Sequence, residues 1–250
     1  MSDSFATQLQ QYLAANGDPV RAEKEKAYLY SDLKHYGVPF GKQNAFTRSH
    51  KKYLKALPKP EALRLVRHLW EQPSFEERIM ATSILSLHAE SLTPKDLPLI
   101  EKMMRESGGW ALLDNLIIPI MPHLLSKYPE IYDVLSDWIK DDDYWVRRSA
   151  LLAQLLFFRR GEGGRPAFFF QLAQSQLDEF WINDQYPDAL QRKRARFFIR
   201  KAIGWTLREM SAHQPQKVVA FLKANRDQMS GLSFREGSRK LPTAFKKQLA

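Results

Sequence analysis

The feature that most constrains this fold is the regular interruption of apolar, helix-periodic stretches by proline, glycine and short polar caps. Gly37-Val38-Pro39, Leu57-Pro58-Lys59-Pro60, Gln72-Pro73-Ser74, Leu92-Thr93-Pro94, Ser107-Gly108-Gly109 and Tyr128-Pro129 punctuate the first half. The periodicity predicts a helix over 3–16, with Phe5, Leu9, Tyr12 and Leu13 on one face, stopping at Asn16-Gly17. Asp18-Pro19 starts the next. No convincing alternating strand interrupts the series, so the chain is read as all-α.

Helices of about 12 to 18 residues joined by short connections form antiparallel pairs. Residues 60–69 with 75–87, 94–104 with 110–125, and 129–139 with 144–157 repeat at the approximate spacing of HEAT-type two-helix units. The expected architecture is therefore a HEAT-like α-solenoid, a single domain over residues 1–250. Beyond a turn at Gly161-Glu162-Gly163-Gly164-Arg165-Pro166, the pattern predicts a helix over 167–177 and a loop over 178–189. A long basic helix over 191–210, a helix over 215–225 and a basic tail follow.

Charge narrows the partner. Lys and Arg number 38 against 28 Asp and Glu, a net charge of +10, and such a field attracts polyanions before any specific contact forms. Nucleic acid is the leading partner class, against the plainer reading in which the charge only aids solubility. With no cysteine, disulfides and thiolate metal sites are excluded. No apolar run has the length of a membrane span and the N-terminus lacks a signal-peptide pattern, so a cytoplasmic protein is expected.

Several kinds of chemistry find no support. His35, His50, His68, His88, His123 and His213 are scattered without a close ligand pair, so no metal is expected and each reads as a surface or boundary residue. Gly161-Glu162-Gly163-Gly164 lacks the Gly-Lys-Ser/Thr ending of a phosphate loop, and no cofactor is expected.

What remains is an aromatic and acidic constellation. In Ser107-Gly108-Gly109-Trp110-Ala111-Leu112-Leu113-Asp114-Asn115, two glycines break the chain and a helix starts behind them. That spacing puts Trp110 and Asp114 on one face. Trp145 and Arg148 stand three residues apart, and Phe198 and Trp205 seven apart, again at helical spacing. By residue type alone such aromatics more often pack in a core and such an acid is more often solvated.

In combination these residues resemble the DNA alkylation repair family of AlkD-like glycosylases. The resemblance rests on Gly-Trp-x-x-x-Asp opening a helix at 109–114, Trp-x-x-Arg-x-Ala-x-Leu at 145–152, and Phe-Phe-Ile-x-Lys-Ala-Ile-Gly-Trp-x-Leu-Arg-Glu at 197–209. It extends to Tyr28 through Pro39 and to Phe234-Arg235-Glu236 with Arg239-Lys240-Leu241. It implies a HEAT-like solenoid with a basic concave surface for double-stranded DNA, and hydrolytic removal of N3- and N7-alkylated purines.

On that resemblance Asp114 is the catalytic carboxylate, Trp110 and Trp205 the sugar-facing rings, and Arg148 the neighbouring arginine. Phe197 and Phe198 match a paired-aromatic position near the DNA. Lys193, Arg194, Arg196, Arg200 and Lys201, which flank that segment, are expected to hold phosphates. Ala111 departs from relatives that are often acidic or polar there, and the 178–189 stretch is longer than usual. The protein is expected to act as a monomer associated with the nucleoid and, having no lysine at the matched catalytic position, to lack strand-cleaving lyase activity. The alternatives are a noncatalytic HEAT-repeat scaffold that binds damaged or branched DNA, and a helical-repeat scaffold for protein partners.

Overall fold

The computed structural model describes residues 2–249, and among these the only β-pairing is an isolated bridge between Lys34 and Ser74. The fold is all-α, with helices packed in pairs as in an α-solenoid. The chain divides into two compact units, Met1–Leu124 and Leu125–Ala250.

The first unit holds α1 (Ser2–Asn16), α2 (Pro19–Leu29), α3 (Phe40–Ala56), α4 (Lys59–Trp70), α5 (Phe75–Leu87) and α6 (Leu97–Arg105), and α7 (Trp110–Lys127) begins there. Phe5, Leu9 and Leu13 of α1 are buried as their spacing predicts, and α4 packs along α5. The punctuation residues act as caps: Asp18 accepts hydrogen bonds from the N–H groups of Val20 and Arg21, and Ser74 accepts one from Glu77 N at 3.2 Å.

The 30–39 connection is not a free loop. Glu76, in the first turn of α5, is almost fully buried, and its carboxylate accepts from the backbone N–H groups of Tyr36 (3.0 Å), Gly37 (2.8 Å) and Val38 (3.2 Å). Gly37 has φ +73°, and a Cβ there would lie 2.2 Å from the Asp18 carbonyl oxygen and 2.6 Å from Ala22 N. Only glycine permits this approach.

Two histidines read as surface or boundary residues are buried. His88 Nε2 lies 2.8 Å from the Leu54 carbonyl oxygen, and a buried backbone acceptor is thereby satisfied. His35 stacks on Phe75 with centroids 4.7 Å apart, and both its ring nitrogens are buried without a hydrogen-bond partner among the described residues. Burial lowers its pKa from the usual 6.5, against the opposing pull of Glu25. The unfolded chain therefore binds more protons than the folded one below that value. The stability contributed by neutral His35 is complete above pH 6.5 and is lost as the pH falls toward the folded pKa. Denaturant titrations at about pH 7.5 and about pH 5.5 are expected to show this fall, and His35→Phe to flatten it; an unchanged slope in the variant would assign the fall elsewhere.

The second unit holds α8 (Ile131–Trp138), α9 (Tyr144–Leu152), α10 (Leu155–Arg160), α11 (Pro166–Gln174), α12 (Phe180–Gln185), α13 (Ala189–Ser211), α14 (Pro215–Ala224), α15 (Gly231–Ser238) and α16 (Thr243–Lys246). Two expectations are corrected here. The predicted helix over 144–157 is broken at Ala153 and Gln154, where buried Gln154 turns its side-chain oxygen to accept from Arg165 N at 2.6 Å. The predicted loop over 178–189 contains the short helix α12, whose Ile182 is fully buried. A helix of this length gains its stability from tertiary contacts rather than local propensity.

The long helix α13 organises this unit, packing on α9, α10 and α15. Gly204 permits the last contact: a Cβ there would lie 2.6 Å from Glu236 Cβ and 3.1 Å from the Ser233 carbonyl oxygen. Gly237 answers it from α15, where a Cβ would meet Leu207 Cβ at 3.0 Å. Gly204→Ala gains about 1 kcal/mol of helix propensity. The clash with Cβ and backbone atoms is nevertheless expected to leave it destabilised by about 1 to 3 kcal/mol, measured by denaturant unfolding. A stabilised variant would refute close packing at this crossing.

Candidate functional site

Of the sequence-predicted residues, Trp110 and Asp114 lie in the first unit, and Arg148, Trp205 and the basic and aromatic residues of 193–201 lie in the second.

Gly108, at φ +64°, turns the chain into α7, and Trp110 is the first helical residue. Trp110 is half-buried, and the exposed ring of Tyr28 from α2 stands edge-on to it with centroids 6.4 Å apart. One turn later Asp114 is 9% exposed, and Leu113, Leu116 and Ile117 beside it are fully buried. Around a carboxylate so little exposed, water screens charge less than it does at the open surface. Beside the Gly108-Gly109 break lies a cavity of about 160 Å³, lined in part by Tyr30, Asp32, Phe75, Ser107 and Ala111. Tyr28 is the neighbour that periodicity could not identify: an exposed aromatic on a polar helix carries no signal for a ring some eighty positions away.

In the second unit, Asp143 caps α9 by accepting from Trp145 N at 2.8 Å, which sets Trp145 and Arg148 on the face toward α13. Arg148 is buried, donates to the Phe198 carbonyl oxygen at 2.8 Å, and has its guanidinium 5.6 Å from the Phe198 ring centre. Trp145 packs on Phe198 at 4.6 Å, and Phe197 stands edge-on to Phe198 at 5.2 Å. Phe197 remains 46% exposed, so the paired aromatics divide into one half-buried ring packed on Trp145 and one facing solvent.

The neighbouring Arg147 has a packing role. It donates to the Asp141 and Lys140 carbonyl oxygens and to Gln176, and lies 3.6 Å from the Trp181 ring centre. Tyr186 fastens the 178–189 stretch to the same corner, donating to the Asp142 carbonyl oxygen and accepting from Tyr144 N. Burial, as the leading cause, raises the hydroxyl pKa values of Tyr144 and Tyr186, so both stay protonated.

The basic residues of α13 differ in their engagement. Lys193 is exposed. Arg200 is held bidentately by Glu179, both contacts at 2.6 Å; Arg196 reaches Glu179 at 3.4 Å and Asn183 at 2.5 Å. Glu179 itself sits at φ +56°, an uncommon conformation for a side chain of this kind. Lys201 pairs with Glu236 at 2.8 Å, and the Glu236 pKa is lowered chiefly by that bond. Arg194 is half-buried. A phosphate approaching Arg196, Arg200 or Lys201 therefore competes with a carboxylate already in place. Glu179 was legible in sequence only as part of a loop.

Trp205, one turn beyond Lys201, is half-buried and donates its indole N–H to Glu209 at 3.2 Å. Among the described residues no group of three or more His, Asp or Glu is placed to hold a metal ion, and no helix is long and apolar enough to cross a membrane.

The family model described as DNA alkylation repair enzyme matches residues 9–241. A solved structure described as a predicted DNA alkylation repair enzyme from Enterococcus faecalis superposes with a TM-score of 0.72 at 21% identity, covering 91% of this chain and 98% of that one. At that identity the likeness is one of fold. Comparison with curated proteins gives no match.

Proposed function

Because the chain belongs to the DNA alkylation repair enzyme family, its role is in DNA repair, and we propose that it is a monofunctional glycosylase acting on cationic N3- and N7-alkylated purines in double-stranded DNA. The observation that carries this reading is the start of α7: a glycine break, a half-buried indole with a second aromatic edge-on to it, and a buried carboxylate one turn on.

The chemistry suits one carboxylate. An N3- or N7-alkylated purine already bears a positive charge, so it departs neutral when its bond to C1′ breaks, taking the bonding electron pair. The barrier is the positive charge that develops on the sugar. Ordinary glycoside hydrolysis needs a second carboxyl group to protonate the leaving group; here that requirement is gone. Asp114 stabilises the oxocarbenium-like sugar and orients the water that adds to C1′, the water's proton passing to solvent. Trp110 and Trp205 offer electron-rich faces to the cationic sugar and base, each contact contributing about 0.5 to 2 kcal/mol. Arg148 does not transfer a proton, since a guanidinium stays charged. It serves a phosphate or orients the site, and its bond to the Phe198 carbonyl holds it in place.

In this reading residues 1–250 act as one HEAT-like domain, a cytoplasmic, nucleoid-associated monomer whose basic concave surface meets the duplex. Lys193, Arg194, Arg196, Arg200 and Lys201 supply salt-dependent phosphate contacts, and Phe197 and Phe198 line the same helix. No metal or cofactor takes part.

The test is release of 7-methylguanine and 3-methyladenine from methylated duplex, with uracil-containing duplex as control. Release of the methylated purines and not of uracil supports a reaction driven by the leaving group's charge. Duplex binding without release would replace this reading with the noncatalytic scaffold.

The Glu179 pairing makes a separate prediction. Removing that carboxylate takes away the anion that pairs Arg200 and Arg196, leaving Arg196 only its neutral partner Asn183, and opens both to phosphate. Glu179→Ala is therefore expected to bind undamaged duplex about three- to tenfold more tightly, with a log–log salt dependence steeper by about 1 to 2. Fluorescence anisotropy across a salt series measures both, and an unchanged slope would show that these arginines do not reach the backbone.

A further inference from the structure

Glu209 is 5% exposed, and its carboxylate gathers donors from three directions. One oxygen accepts from the Trp205 indole N–H at 3.2 Å; the other accepts from Arg159 Nε of α10 at 3.3 Å and from Lys240 Nζ, beyond α15, at 2.8 Å. Arg208 Nε lies 3.6 Å from the first oxygen, and Arg208 also pairs with Glu236. Arg159 further places its guanidinium 5.8 Å from the Trp205 ring centre. The indole is thus held at its nitrogen edge by a carboxylate and flanked on its face by a cation bound to the same carboxylate.

We propose that Glu209 is the positioning residue for Trp205, fixing the rotation of its indole through a clamp closed by Arg159 and Lys240. The inference rests on the reading of Trp205 as a sugar-facing ring. Tryptophan on a helix surface has freedom about two side-chain torsions, and the ring interaction with a cationic sugar depends on which face is presented. A buried acceptor that binds only the indole nitrogen removes that freedom before substrate arrives. Burial works against ionisation of Glu209, but Lys240 and Arg159 outweigh it and hold its carboxyl below the ordinary glutamate range, so the acceptor stays charged through neutral pH. Among the described residues the indole makes the only hydrogen bond to the first oxygen, with Arg208 Nε farther off at 3.6 Å, while Arg159 and Lys240 take the second.

The experiment follows the Trp205 indole N–H resonance in a ¹H–¹⁵N spectrum of the whole protein, identified by its loss in Trp205→Phe, alongside single-turnover release of 7-methylguanine. Glu209→Ala is expected to move that resonance upfield and to slow release about ten- to a hundredfold, with duplex affinity changed far less. Glu209→Gln, which keeps a carbonyl acceptor for the indole, is expected to restore the resonance and most of the rate. If Glu209→Ala does not fold, Lys240→Met opens the same clamp from an exposed position and is expected to move the resonance in the same direction. A resonance that stays at the wild-type position in the folded variant overturns the proposal, as does a moved resonance with release unchanged. If wild type releases no base, the glycosylase reading has failed, and the resonance alone still decides whether Glu209 holds the ring.

Discussion

Replacing Asp114 by asparagine is expected to slow release of 7-methylguanine and 3-methyladenine about 100- to 1,000-fold while duplex binding persists. Asparagine keeps the size and one carbonyl oxygen of the side chain, removes its charge and turns the other acceptor oxygen into an amide donor. If the carboxylate acts by stabilising positive charge on the sugar, that loss falls on the transition state and leaves ground-state contacts nearly intact. The expected magnitude is large because Asp114 lies at 9% exposure among the fully buried Leu113, Leu116 and Ile117: poorly screened charge acts strongly on a cation. Single-turnover release and duplex affinity, measured on both proteins, separate the cases. Equal release by wild type and Asp114→Asn would retain the enzyme and move its chemistry to another residue. Equal loss of binding and release would make Asp114 a structural group.

The second large effect concerns stability. Glu76→Ala is expected to destabilise the first unit by about 3 to 5 kcal/mol, seen as a lower denaturant midpoint. Removing the carboxylate leaves the N–H groups of Tyr36, Gly37 and Val38 without their acceptor, and Gly37 and Val38 are buried. Water cannot easily replace it, because Gly37 is pressed against the Asp18 carbonyl and Ala22 N. Glu76→Gln, which keeps one oxygen, is expected to fall between wild type and alanine. Loss of less than about 1 kcal/mol in Glu76→Ala would mean that the 36–38 turn holds itself.

The two substitutions mark the boundary between what is readable locally and what is not. That Trp110 and Asp114 share one helical face behind a glycine break was readable locally, because a break and a spacing of four are properties of neighbouring residues; their proposed roles rest on the family resemblance. Glu76, an acid in the first turn of a helix, looks from sequence like an ordinary partner of the helix dipole. Its bond to a turn forty positions earlier appears only when the chain is folded. Arg196, Arg200 and Lys201 show the same limit. Sequence marks them as a basic face, but not that Glu179 and Glu236 already occupy them.

The sequence by itself determined the all-α class, most helix boundaries and the pairing of Trp110 with Asp114 on one face, because caps, breakers and helical periodicity act over a few residues. Tertiary structure alone decided that the helix over 144–157 breaks at Gln154, that a helical turn forms within 178–189, and which carboxylate holds each cation. Those outcomes depend on contacts between residues far apart in the chain, whose strength is set by burial and geometry that no local pattern encodes.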